Sequence, residues 1–312
     1  MFPIIPANSV VSSGTQKAIF GYGVGGSITS ITNLVSSSGV VATDTSGVGT
    51  ARNALAAAGY GDDKAIFGYG TTGSESSLTN LVNNSGVVAS DVTGVGSARY
   101  AIAATNYGED KAIFGYGHID GTGSVSMTNL VSNSGVVATD TTGVGTARHY
   151  LAAVHYGDDK AIFGFGTVPG LSSVTNLVSN SGVVATDTTG VGTVREDLGA
   201  ASYGGDKAIF AYGYKGGSPT NTNISNLVSN SGVVASDTTG VGSIRNLVAA
   251  ASYGGDKALF GYGVNSGSNL SMTNLVSNSG VVASDTTGVG TIRNLPAAAS
   301  YGGDKALFGY GV

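Results

Sequence analysis

The side chains that could do chemistry in this chain are few, and most come in sets. Arg52, Arg99, Arg148, Arg195, Arg245 and Arg293 each stand eight residues after an aspartate: Asp44, Asp91, Asp140, Asp187, Asp237 and Asp285. A ring of such cations would hold an anionic ligand. Alternatively, each arginine makes an Asp–Arg pair or a backbone contact that ties one structural unit to the next. A group needed equally in every copy belongs to the construction of the unit, which favours the second role. The set is expected to be a structural ring. The recurrent lysines follow an aspartate, as in Asp63-Lys64 and Asp304-Lys305. Such exposed neighbouring charges contribute little to stability.

Three histidines are the remaining candidates: His118, His149 and His155. A metal shared by His118 and His149 would need further ligands, and none repeats with them. Gly21-Tyr22-Gly23-Val24-Gly25-Gly26 matches GxGxxG, but a dinucleotide site needs a helix behind those glycines, and here a strand pattern follows. There is no cysteine, which removes disulfides and thiolate metal sites. No Ser-His-Asp set or paired acid occurs once and stands apart from the repeats. The expectation is a non-enzymatic protein with no catalytic residue, no metal and no cofactor.

The repeats that carry these residues decide the architecture. Lys-Ala-Ile/Leu-Phe-Gly-Tyr-Gly recurs, with small changes, from Lys17, Lys64, Lys111, Lys160, Lys207, Lys257 and Lys305. A period of 47 to 50 residues means a propeller or a solenoid. Each unit holds four short apolar runs, taken as strands a (LAAA), b (KAIFGYG), c (TNLV) and d (GVVAT), with turn-forming YGDD and SNSG between them. Four antiparallel strands per unit is the pattern of a propeller blade. From the Thr or Ser opening strand c to the next repeat lysine is always 32 residues, whereas the b–c loop varies from 9 to 12. Insertions therefore fall on a surface loop and leave the strand register intact. Strand a, rich in alanine, suits a crowded hub. Pro296 is read as lying inside one copy of it, and proline belongs on an edge strand. Residues 8–13 align with strand a, giving seven a–b hairpins but only six c–d hairpins. Seven blades with a reduced last blade are favoured; six blades with a redundant end, or a fragment of a longer protein, are the alternatives. Residues 1–312 are read as one all-β domain.

The composition narrows the partners. A net charge of -5 offers no basic field for nucleic acid. No uncharged stretch is free of Gly, Ser, Asn or Thr for long enough to insert into a membrane. Met1 to Gln16 lacks the layout of a signal peptide. What does vary between repeats is the b–c loop and the residue after each arginine. Strand alternation puts both on one rim, where Tyr100, His118, His149, Tyr214 and Lys215 are the distinctive contacts. Tyrosine and asparagine there suit sugar or protein surfaces.

Arg99, the run Phe114-Gly115-Tyr116-Gly117 and Asp140 occupy places that resemble the kelch repeat, although the chain has no tryptophan and the double glycine is interrupted. This resemblance implies a kelch-like β-propeller over nearly the whole chain. Runs such as TNLVSNSGVVATDTTGVGTAR also resemble repeats of bacteriophage and environmental virion proteins, and the Gly/Ser/Thr/Asn-rich composition is similar to tail and fibre proteins. That implies a virion or extracellular protein, with other virion proteins or host surface glycans as partners, used for attachment or assembly. The alternatives are a freestanding multivalent lectin and, further off, a propeller enzyme.

Overall fold

The computed structural model describes residues 16–312. They form an all-β protein of small antiparallel sheets. The expected strand at residues 8–13 lies outside the described residues. In the repeat of Lys64, strand a is Ala56–Tyr60, strand b is Lys64–Gly68 and strand c is Thr79–Val82. They pair in that order, Ala56 with Gly68 and Gly68 with Thr79. The repeats of Lys111, Lys160, Lys207 and Lys257 have the same three-stranded sheet. Strand a therefore runs two residues further than its LAAA motif, through the tyrosine. The a–b turn is the three residues Gly61-Asp62-Asp63, with Gly61 and Asp62 at φ of 56° and 66°, a geometry that Gly and Asp tolerate best. Strand b stops at its first glycine. Pro296 sits immediately before its strand, Ala297–Tyr301, so its missing N–H interrupts no ladder bond.

The fourth segment is not a regular strand. In the repeat of Lys64 it meets strand c at two bridges, Val82 with Val88 and Thr79 with Val92. The outer segment thus spends one more residue than strand c between the bridges, which is a β-bulge. Asn80 Nδ2 bonds across the bulge to the Ala89 carbonyl at 3.1 Å and to Asp91 Oδ1 at 2.9 Å. The asparagine of TNLV thereby substitutes for a ladder donor and turns the aspartate inward.

Neighbouring repeats pack through the faces of their sheets. The Phe of strand b lies on the glycine ending strand b of the preceding repeat, except Phe260, whose preceding strand b ends in Ala211. A Cβ on Gly68 would stand 2.7 Å from the Phe114 ring, so only glycine fits. Each ring also meets the aromatic residue just after that strand end: Tyr22–Phe67, Tyr69–Phe114, Tyr116–Phe163, Phe165–Phe210, Tyr212–Phe260 and Tyr262–Phe308, with centroids 5.1–5.4 Å apart. The seventh hairpin makes the same contact with the first: Tyr310 lies 5.4 Å from Phe20. The Gly302 N–H also donates to the Gln16 carbonyl at 2.8 Å, as Gly61 does to Asp110 at 2.6 Å. The alanines of strand a pack between successive repeats in clusters such as Ala56, Ala58 and Ala104. Among the described residues no helix is long and apolar enough to cross a membrane.

Candidate functional site

Every repeat places an aromatic residue in the left-handed region just after strand b: Tyr22, Tyr69, Tyr116, Phe165, Tyr212, Tyr262 and Tyr310 have φ of 61–64°. Bulky side chains avoid this region unless the surroundings compel it. Here the conformation turns the ring into the gap between repeats, where an arginine lies over each of the first six. Arg99 Cζ is 4.3 Å from the Tyr69 ring centroid, and Arg195 is 4.0 Å from Phe165. Arg99 donates from Nε to the Tyr116 carbonyl at 2.8 Å, from Nη2 to Asn129 Oδ1 at 2.5 Å and from Nη1 to the Ser97 carbonyl at 2.9 Å. Its Nη1 lies 3.7 Å from Asp140. Arg52, Arg99, Arg148, Arg195 and Arg245 are fully buried.

These five arginines are therefore sealed between sheets and do not line an open rim, while Arg293 is half-buried. Their ion-pair partner is also not the aspartate eight residues before. Arg52 pairs with Asp91, Arg99 with Asp140, Arg148 with Asp187 and Arg245 with Asp285, at 3.6–3.7 Å. The reason is the bulge: the Asn80 bond draws Asp91 towards Arg52, while the chain after Asp44 has already crossed to the next repeat. Burial pushes the Asp91 carboxyl up, but hydrogen bonds from Thr50 and Asn80 and the charge of Arg52 outweigh it and hold it below the usual carboxylate range. Gly49 makes room for this, since a Cβ there would stand 2.2 Å from Asp91. The aromatic and asparagine members of the socket escape a reading based on charges, yet their constant offset in every repeat was the available signal.

The variable loops and the residues after each arginine do lie side by side. Asn53 bridges Thr71, Tyr100 bridges His118, His149 bridges Thr167, Glu196 bridges Tyr214 and Asn246 bridges Val264. Three of the expected contacts come together. The Tyr100 and His118 rings are 5.3 Å apart, His118 and His149 4.8 Å, and Tyr150 adds a fourth ring 4.7 Å from His149. Tyr100 Oη donates to Asp120 at 3.0 Å, the Asp120 N–H donates to Glu75 at 2.5 Å, and Ser124 Oγ meets His149 Nδ1 at 2.9 Å. Burial and the hydrogen bond to Asp120 push the Tyr100 hydroxyl up to about 12. Burial and the neighbouring His118 bring His149 down to about 4. At neutral pH the patch is thus a neutral imidazole beside half-buried aromatic rings, edged by Glu75 and Asp120. Such a surface can stack on an apolar ring face and hydrogen-bond its hydroxyls. Tyr214 and Lys215 belong to a loop further along, where Tyr214 exchanges backbone bonds with Glu196 and Lys215 donates to the Thr220 carbonyl. Among the described residues, no group of three or more His, Asp or Glu side chains could hold a metal ion.

One residue was absent from the sequence-based set. Asp197 occupies the position that Ala54, Ala101, Tyr150, Leu247 and Leu295 hold in other repeats, all at φ of 49–53°. It lines a small cavity with Leu55, Ile102, Leu198 and Val248. Burial, then Glu196, raises its carboxyl to about 7. Nothing in the repeat pattern marks it, because its neighbours in space are four or five alanine-rich strands far apart in the chain. Neither the protein-family models nor the curated proteins compared with this sequence give a match.

Proposed function

We propose that the chain is a closed, seven-bladed β-propeller that works as a non-enzymatic recognition scaffold, with its ligand received on the rim of variable loops. The convergence of Tyr100, His118 and His149 carries the reading: residues from three connecting segments of two repeats meet in one aromatic patch, although each is unlike its counterpart in the other copies. The propeller is supported by the Phe20–Tyr310 and Gly302–Gln16 contacts, which join the seventh hairpin to the first. A host surface glycan suits the patch, and a virion exterior suits the composition. Repeated pockets between blades, as a multivalent lectin would use, are less favoured, because the chain's own arginines fill the sockets at six successive junctions.

Assembly with another chain is supported by a separate observation. Among the described residues no strand c pairs with Lys305–Gly309, which is half-exposed where the other copies are buried. In the last repeats Leu275, Val289, Ile292 and Val312 are 42%, 84%, 56% and 59% exposed. An unpaired strand edge of this kind recruits another strand.

The test of recognition is a glycan array probed with the purified chain, a Tyr100→Ala/His149→Ala variant, and a variant with all b–c loops shortened and filled with Gly/Ser. Binding by the native chain alone supports the rim. Equal binding by all three places recognition in repeat-built pockets and overturns the reading.

A further inference from the structure

The arginine sockets provide an internal comparison in which one member differs. The sockets of Arg52, Arg99, Arg148, Arg195 and Arg245 each have an aromatic ring from one repeat and, from the next, an asparagine Oδ1 and an aspartate; in those of Arg52 and Arg99 the carbonyl of the left-handed tyrosine accepts from Nε as well. At the junction of the seventh and first repeats these parts are Tyr310, Asn33, Asp44 and Tyr22. They are assembled as elsewhere: Phe20 packs on Tyr310, and Asn33 Nδ2 donates to the Ala42 carbonyl at 3.1 Å and to Asp44 Oδ1 at 2.9 Å. The corresponding Asn80 bonds are 3.1 and 2.9 Å. What differs is the arginine. In the six other copies it stands twelve residues before the repeat lysine, and there the first repeat has Ile5; residues 1–15 contain neither arginine nor lysine.

Among the described residues, those that would surround the guanidinium, Tyr22, Asn33, Asp44, Ile31, Thr29 and Tyr310, line a cavity of about 280 Å³. Tyr310 is 44% exposed, whereas Tyr69, Tyr116 and Tyr212, each covered by an arginine, are fully buried. Among the described residues no donor bonds Asn33 Oδ1, the atom whose counterparts take arginine Nη2 at 2.5–2.6 Å. At about 30 Å³ per water, the space is large enough for a planar guanidinium with some solvent.

We propose that this junction is a binding site for a guanidinium group supplied from outside residues 16–312. The cation would lie flat on Tyr310, donate to Asn33 Oδ1 and the Tyr22 carbonyl, and approach Asp44. Ring stacking, a forked donor and charge together select arginine over lysine. A neutral urea of the same shape would keep the hydrogen bonds and lose the charge.

The experiment is an NMR titration of the whole ¹⁵N-labelled chain with N-acetyl-arginine amide, following the Asn33 side-chain amide and the Tyr310 resonances. The lysine and citrulline counterparts are run beside it. The expected result is a saturable shift confined to this junction, with at least tenfold weaker binding of both counterparts. Asp44→Asn and Tyr310→Leu should each weaken binding at least severalfold while resonances of the other repeats stay in place; Tyr310 is exposed enough that its replacement leaves the fold intact. A peptide of residues 46–55, which carries Arg52 in its own sequence context, separates the sources. Tighter binding of the peptide assigns the site to an arginine of another polypeptide, and equal binding assigns it to a free guanidine compound. The absence of a saturable shift, an equal response to lysine or citrulline, or binding unchanged in both variants overturns the proposal.

Discussion

Replacing one buried arginine in two repeats that differ in what surrounds it measures what the socket contributes. Arg99 is fully buried and meets Tyr69, the Tyr116 carbonyl, Asn129 and Asp140. Arg293 lies over Tyr262 at 4.1 Å, but among the described residues no asparagine or aspartate of a strand c or d meets it, and its Nε has no partner there. Methionine keeps the apolar stem on the ring and removes the charge and donors. Arg99→Met leaves Asn129 and the Tyr116 carbonyl unpaired in a buried place and strands Asp140. Removing one partner of a buried ion pair costs about 3–5 kcal/mol, and since Asp140 retains 27% exposure, water recovers part of it. We expect a loss of ~2–4 kcal/mol. Arg293→Met forfeits mainly the cation–π contact, ~1 kcal/mol at a half-exposed site. Urea unfolding of both variants with an unchanged slope reads the difference from the midpoints. Equal losses would refute the reasoning, because the Asn–Asp half of the socket would then contribute nothing.

Three further outcomes are expected. His155 is buried, accepts or shares a bond with Ser202 Oγ at 2.8 Å, and is brought down to about 4 by burial. The unfolded chain takes a proton near pH 6.5 and the folded chain does not, so stability falls as pH drops from 6.5 to 4, by ~3 kcal/mol. His155→Ser, the residue that Ser202, Ser252 and Ser300 provide in other repeats, should lessen that slope in denaturation midpoints measured across this range, leaving the part that the likewise depressed His149 contributes. For Asp197 the sign is opposite: a carboxyl raised to about 7 is uncharged in the fold while the unfolded chain ionises near 4, so stability is lost as pH rises from 4 to 7. Asp197→Asn should match the native chain below pH 4 and exceed it at pH 8, by less than the ~4 kcal/mol such a shift represents for full burial; identical profiles would show the carboxyl to be solvated. Finally, a peptide of residues 128–140, a c–d hairpin of this chain, should bind the edge of Lys305–Gly309 and slow hydrogen exchange of that strand; unchanged exchange at saturating peptide would remove the open edge as a docking place.

Much of the strand layout was legible in the residues, because a repeat states the same local instructions seven times. Alternating short apolar runs and Gly/Asp turns give hairpins regardless of what surrounds them, and the constant c-to-lysine spacing located the variable loops, with Tyr100, His118 and His149 among them. The errors were those of position in space. The fourth segment reads as a strand by composition, but one extra residue and the Asn80 side chain make it a bulge. The sequence left open which aspartate each arginine meets, and the fold chooses one about forty residues downstream.

The sequence by itself therefore determined the period, the hairpins, the all-β class and which loops differ, since these depend on backbone conformation and side-chain alternation within a few residues. Only the tertiary structure decided which aspartate meets which arginine, that five of these cations are sealed between sheets, that Asp197 faces a cavity, and that one of seven junctions lacks its arginine. Those are contacts between segments tens to hundreds of residues apart, and the angle between neighbouring sheets, set by Phe packing on glycine, brings them within reach.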